Sequence, residues 1–97
     1  MRIETSVTRL LNIDLPILLA GMSWVTSNAA LPLAVSRAGG LGVIAAGPMY
    51  PEALEEAIDT VRQGTDRPFA VNMPLYRKGA EEILDLLIAR LGCAYAA

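Results

Sequence analysis

The sequence contains no histidine and a single cysteine, Cys93. The first absence removes the side chain that most often serves as a base near neutral pH. With it go His-containing metal sites and Ser-His or Cys-His nucleophile pairs. The second excludes an internal disulfide, and with only Arg90 near it in sequence, Cys93 reads as a small apolar residue without a redox role. Eight basic residues stand against ten acidic ones and are scattered from Arg2 to Arg90. Phosphate backbones need clustered Lys and Arg, so nucleic acid is excluded as a partner. The longest apolar stretches, such as 15–22 and 41–49, fall far short of the ~20 residues that cross a bilayer. The opening Met1-Arg2-Ile3-Glu4 lacks the charged-then-apolar profile of a secretory signal. A cytoplasmic protein without a membrane partner is the expectation.

Apolar residues make up 54% of the chain and charged residues 19%, a balance that calls for elements buried on more than one side. Low-complexity segments and linkers are missing, so residues 1–97 read as a single domain. Three apolar runs, at 16–20, 41–46 and 69–72, do not alternate with polar residues. Each is expected to be a strand buried on both faces, as in a parallel sheet covered by helices.

Helical periods lie between and after the runs. Leu31, Ala34, Val35 and Ala38 make one apolar stripe, Leu54, Ala57, Ile58 and Val61 a second. Ile83, Leu84, Leu87, Ile88 and Leu91 make a third, with Leu86 off it. Ser27 or Asn28 suits the cap of the first helix and Pro51 the first position of the second. Gly39 and Gly64 follow those helices where a left-handed cap favours glycine. A short helix over 7–11 leads in. The repeat of strand and helix predicts an α/β fold: the first three βα units of a TIM (β/α)8 barrel, incomplete, with an open doubly wound sheet as the alternative.

In either architecture ligands gather beyond the carboxyl ends of the strands. Those ends carry Gly21, Met22 and Ser23 after the first run, Gly47 after the second, and Asn72 at the end of the third. Glycine admits close backbone approach to a flat ligand, a thioether offers a soft surface, and an amide both donates and accepts. Against this stands the plainer reading that small residues merely turn the chain and that Met22 fills a core. The run Gly39-Gly40-Leu41-Gly42 precedes a strand, so it suits helix termination and tight packing, not phosphate binding. Trp24 is expected to pack on the first helix, Tyr50 and Tyr76 to be half-buried over local packing, and Arg77 and Lys78 to form a solvated pair. No catalytic residue and no metal ligand can be named.

Three segments, Pro16-Ile17-Leu18-Leu19-Ala20-Gly21-Met22-Ser23-Trp24-Val25, Ala34-Val35-Ser36-Arg37-Ala38-Gly39-Gly40-Leu41-Gly42-Val43-Ile44 and Thr65-Asp66-Arg67-Pro68-Phe69-Ala70-Val71-Asn72, resemble in order and separation the amino-terminal part of the nitronate monooxygenase (2-nitropropane dioxygenase) family. The flavin-dependent enoyl-acyl-carrier-protein reductases are similar over the same span. The resemblance implies a TIM barrel holding FMN at its carboxyl rim. The Gly-Met turn, here Gly21 and Met22 with Ser23 adjacent, would pass beside the flavin, and the asparagine, here Asn72, would reach it. It implies oxidation of an alkyl nitronate with O2 to a carbonyl compound and nitrite, or, for the reductases, hydride delivery to an enoyl thioester. The small-molecule substrate is then a nitronate or an enoyl thioester. The family's histidine and FMN-phosphate glycines come from later strands and have no counterpart here. The tail at 91–97 also lacks the β-branched fourth strand expected at that point, which suggests a truncated reading frame or an inactive fragment. Bare strand edges predict self-association, and a non-enzymatic βα assembly module is the alternative from another class.

Overall fold

A computed structural model describes residues 1–91. The tail, with Cys93, and the side chain of Leu91 lie outside the described residues. The chain runs through α1 (Ser6–Leu11), α2 (Ala30–Ala38), β1 (Gly42–Ala45), α3 (Pro51–Gly64), β2 (Phe69–Asn72) and α4 (Ala80–Leu91). No helix among the described residues is long and apolar enough to cross a membrane.

The second and third apolar runs are strands, as expected, and they pair in parallel with Gly42 opposite Phe69 and Ala45 opposite Asn72, but the third is not buried on both faces, for 69–71 are half-buried and Asn72 is exposed. The first run also lies parallel, but as one bridge between Leu18 and Leu41. Leu41 donates to the Ile17 carbonyl and accepts from the Leu19 N–H. The run is not buried on both faces: Ile17 and Leu18 are more than half exposed. Only one neighbour pairs with it among the described residues, which leaves its other edge bare.

Alternation of side chains along a strand splits the two-stranded sheet cleanly. Ile44, Ala46 and Met73 join Leu54, Ala57, Ile58, Val61, Ile83 and Leu87 in one buried cluster, with Phe69 and Val71 packed against it. That face carries the helices. The opposite face is left to Val43, Ala45, Ala70 and Asn72, mostly small residues.

α3 follows its pattern closely. Pro51 sits in its first turn, where its missing N–H costs nothing, and Leu54, Ala57, Ile58 and Val61 are all buried. Gly64 departs from expectation. It is the last helical residue, the chain leaves through an extended Thr65, and a Cβ on Gly64 would stand 2.7 Å from Leu33 Cδ2. Gly64 sits against the Leu33 side chain of α2 and is not a left-handed cap.

α2 buries a different face from the expected stripe. Leu31, Ala34 and Ala38 are exposed and Val35 is half-buried, while Pro32 and Ser36 are buried. Ser36 faces inward because its hydroxyl donates to the Pro68 carbonyl at 2.9 Å and accepts from the Gly42 N–H at 3.0 Å. Gly42 in turn lets the helix come close, since a Cβ there would stand 2.0 Å from the Pro32 carbonyl oxygen. Gly39 ends α2 in the left-handed region at φ 107°. The glycine cluster therefore terminates and packs, as expected. Ser27 does not cap α2. Asn28 accepts from the Ala30 N–H, ahead of an N-cap, Ala29, that has no side-chain bond.

On α4, Ile83 and Leu87 are buried and Leu86 is half-buried against the core, whereas Ile88 is 52% exposed. The packed face is centred on positions 83, 87 and 90, which swings Leu86 in and Ile88 out. Arg90 anchors it by pairing with Asp59 and Glu55 of α3.

Candidate functional site

The expected ligand rim is assembled from three places in the chain. Past Leu19 the backbone leaves the line of the first run and crosses the end of β1 toward β2. A Cβ on Gly21 would stand 2.7 Å from Asn72 Cβ and 3.1 Å from its Oδ1. One on Gly47 would stand 3.3 Å from Pro74 Cγ and 3.8 Å from Ser23 Oγ. Gly21, Ser23, Gly47 and Asn72 thus share one end of the sheet, and Gly21, Met22, Ser23 and Asn72 are exposed there. Met22 is 40% exposed, so it is a surface residue and not core filler. The parallel ladder reaches one step past the strands, with Ala46 N–H donating to the Asn72 carbonyl at 2.8 Å. That bond fixes the height of Asn72 against the β1 end.

The turn at 22–27 supports this rim. Thr26 is fully buried and its hydroxyl accepts from the Met22 N–H. Ser27 Oγ donates to the Ala45 carbonyl at 2.7 Å and accepts from the Trp24 N–H. Trp24 takes a left-handed φ of 71° and is 76% exposed, so it does not pack on the first helix as expected. Its backbone is held by the turn while the ring stands outside. Tyr50 and Tyr76 are likewise exposed, not half-buried. Arg77 departs from the solvated pair: it is half-buried and its guanidinium donates to the Met49 carbonyl. This ties the loop after β2 to the loop after β1, while Lys78 stays exposed. Thr26 drew no reading from the sequence, and Ser27 and Arg77 drew other ones, a helix cap and a solvated pair. For Thr26 and Ser27 the signal was the density of hydroxyls just after the Gly-Met turn.

Charge collects at the opposite end of the sheet. Asp14 pairs with Arg67, just ahead of β2, and with Arg2. The Arg67 hydrogen bond holds the Asp14 carboxyl below its usual range, helped by the charges of Arg67 and Arg2 and opposed by partial burial. Among the described residues no group of His, Cys, Asp and Glu is arranged to hold a metal ion. The rim therefore offers close backbone approach, a serine hydroxyl, an amide and apolar surface.

These features define an α/β protein with a parallel sheet whose carboxyl edge presents a small-residue, weakly polar rim. A model of the nitronate monooxygenase family matches residues 4–94, and the chain belongs to that family. Over 88 residues it is 39% identical to the (3aS,4S,5R,7aS)-5-hydroxy-7a-methyl-1-oxo-octahydro-1H-indene-4-carboxyl-CoA dehydrogenase of Mycobacterium tuberculosis, covering 91% of this chain and 24% of that protein. Over 73 residues it is 45% identical to a probable nitronate monooxygenase of Staphylococcus saprophyticus, covering 75% and 20%. Among solved structures it resembles FabK from Thermotoga maritima, with TM-score 0.86, 44% identity and coverage of 92% and 28%. It also resembles a nitroalkane oxidase from Streptomyces ansochromogenes, with TM-score 0.62, 38% identity and coverage of 88% and 24%. The chain spans about a quarter of the length of these relatives.

Proposed function

We propose that this chain forms the first three βα units of a (β/α)8 barrel oxidoreductase that uses FMN to oxidise alkyl nitronates with O2 to a carbonyl compound and nitrite. The observation that carries the reading is the joint placement of Gly21, Ser23, Gly47 and Asn72 at one sheet end. At two of these positions glycine lets the rim's own parts close on one another, since a Cβ on Gly21 would meet the Asn72 side chain and one on Gly47 the ring of Pro74. Gly21 and Met22 would hold one side of the ring system, with the Ser23 hydroxyl and the Asn72 carboxamide as polar contacts. The flavin supplies the electron transfer, and the protein supplies position and polarity. Within these residues no side chain stands out as a base near neutral pH, so the proton-handling group belongs to no position named here.

Reduction of an enoyl thioester is the second reading, supported by the resemblance of the same three segments to the flavin-dependent enoyl-acyl-carrier-protein reductases. By itself, the 97-residue chain is proposed to be inactive.

Purified protein tests the reading directly. Flavin absorbance that co-purifies supports the flavin reading, and O2 uptake with nitrite release from an alkyl nitronate by a barrel in which this chain supplies the first three units supports nitronate oxidation. Flavin with turnover only on an enoyl thioester and a reduced nicotinamide moves the conclusion to the second reading. Colourless protein that takes up no added FMN removes both and favours the assembly module.

A further inference from the structure

Strand residues two apart point their N–H and C=O to the same edge. Leu41 uses its edge to pair with Ile17 and Leu19, so Ala45, four residues on, faces that edge too. At this level the first run no longer supplies the partners. Thr26 does, its carbonyl accepting from the Ala45 N–H at 3.0 Å, while Ser27 Oγ takes the Ala45 carbonyl at 2.7 Å. The turn thus occupies the place where the first strand would have continued.

Thr26 then fixes the rim end of the same turn. Its hydroxyl accepts from the Met22 N–H at 3.1 Å and bonds the Met22 carbonyl at 3.2 Å, and its own N–H reaches that carbonyl at 2.9 Å. Both backbone polar groups of Met22 are committed inside the turn. What remains to face a ligand is the Gly21 backbone and the exposed Met22, Ser23 and Asn72 side chains.

We infer that Thr26 and Ser27 are positioning residues: they stop the first strand at Leu19 and hold the Gly21–Ser23 backbone in its ring-facing shape before any ligand arrives. The inference rests on the flavin reading above. A rim held in advance avoids the ordering cost that binding otherwise meets, and these two side chains provide that order without touching the ring themselves.

Thr26→Val keeps the shape of the side chain and removes its hydrogen bonds, while Thr26→Ser keeps the hydroxyl. Trp24 is the only tryptophan and lies in the turn, so its emission reports both the turn and an FMN titration. Thr26→Val is expected to raise the FMN dissociation constant about ten-fold, ~1.4 kcal/mol. It should also change Trp24 emission in the absence of FMN, whereas Thr26→Ser restores both to within about two-fold. Equal FMN affinity in all three proteins, with only a lower melting temperature for Thr26→Val, makes Thr26 a packing residue and overturns the assignment. If Thr26→Val does not fold, Ser27→Ala decides: weakening of about three-fold or more supports the inference and wild-type affinity sinks it. A wild-type protein that binds no FMN brings down the flavin reading itself, and the assignment falls with it.

Discussion

The Asn72 side chain lies across the backbone of Gly21, so close that a methyl group on Gly21 would stand 2.7 Å from Asn72 Cβ and 2.9 Å from its Cγ. The two residues are 51 positions apart in sequence and meet only because the turn after the first run crosses the end of β1. Each sets where the other can be. Gly21→Ala is expected to push the carboxamide off its place at a stability cost of about 1–3 kcal/mol. The FMN dissociation constant should rise with it, as read by flavin titration. A variant with unchanged affinity would show that Asn72 does not need this position.

Gly42→Ala meets backbone, which cannot rotate away. The new methyl would stand 2.0 Å from the Pro32 carbonyl oxygen and 2.7 Å from Ser36 Oγ. The helix must lift from the sheet, and overpacking of this kind costs about 3 kcal/mol or more. Urea unfolding followed by circular dichroism should show a large loss of midpoint, against a small one for Gly79→Ala at most. A Cβ at Gly79 meets nothing within 4 Å, although its φ of 81° keeps that change from being free.

Acid should act through Asp14. Its folded carboxyl is held low by the Arg67 hydrogen bond, so it stays ionised in the folded chain at pH values where the unfolded chain has taken up a proton. The stability from this pair is complete above the ordinary carboxylate range and is lost as pH falls through the lowered folded value. Asp14→Asn should therefore be less stable than wild type at neutral pH, and the gap in unfolding midpoint should close in acid. A gap that does not vary with pH would assign the effect to packing.

The bare edge of the first run makes a prediction about the chain on its own. Ile17 and Leu18 are 57% and 53% exposed in a run that, among the described residues, bridges a neighbour on one side only, and such an edge recruits other strands. Size-exclusion chromatography should show assembly that grows with concentration. A well-behaved monomer at high concentration would contradict it.

Much of this architecture could be read from the residues in order. Runs at 41–46 and 69–72 gave the strands, and the α3 stripe gave its buried face because four apolar residues there join the apolar core. The face of α2 could not be read in this way. Its inward position at Ser36 is polar, and the groups that satisfy it, Pro68 and Gly42, are supplied by other segments. A rule that buries apolar residues turns that helix the wrong way. Gly64 misled for a related reason, since a glycine just past a helical stripe suggests a cap, whereas this one is the last helical residue and packs against Leu33 of another helix. At the rim, Gly21 and Asn72 were legible from residue type. Thr26 was not, because its work is done by hydrogen bonds that no periodicity encodes.

The register of the two strands has a further consequence for how this segment tolerates change in length. Asn72 is exposed at the open end while Met73, the next residue, is 2% exposed within the core. Shortening the strand by one residue would exchange them, sending an amide into the apolar layer and a thioether to the mouth. Insertions and deletions should therefore survive in the stretch between Gly64 and Arg67, but not between Phe69 and Met73, where a single residue separates an open mouth from a closed one.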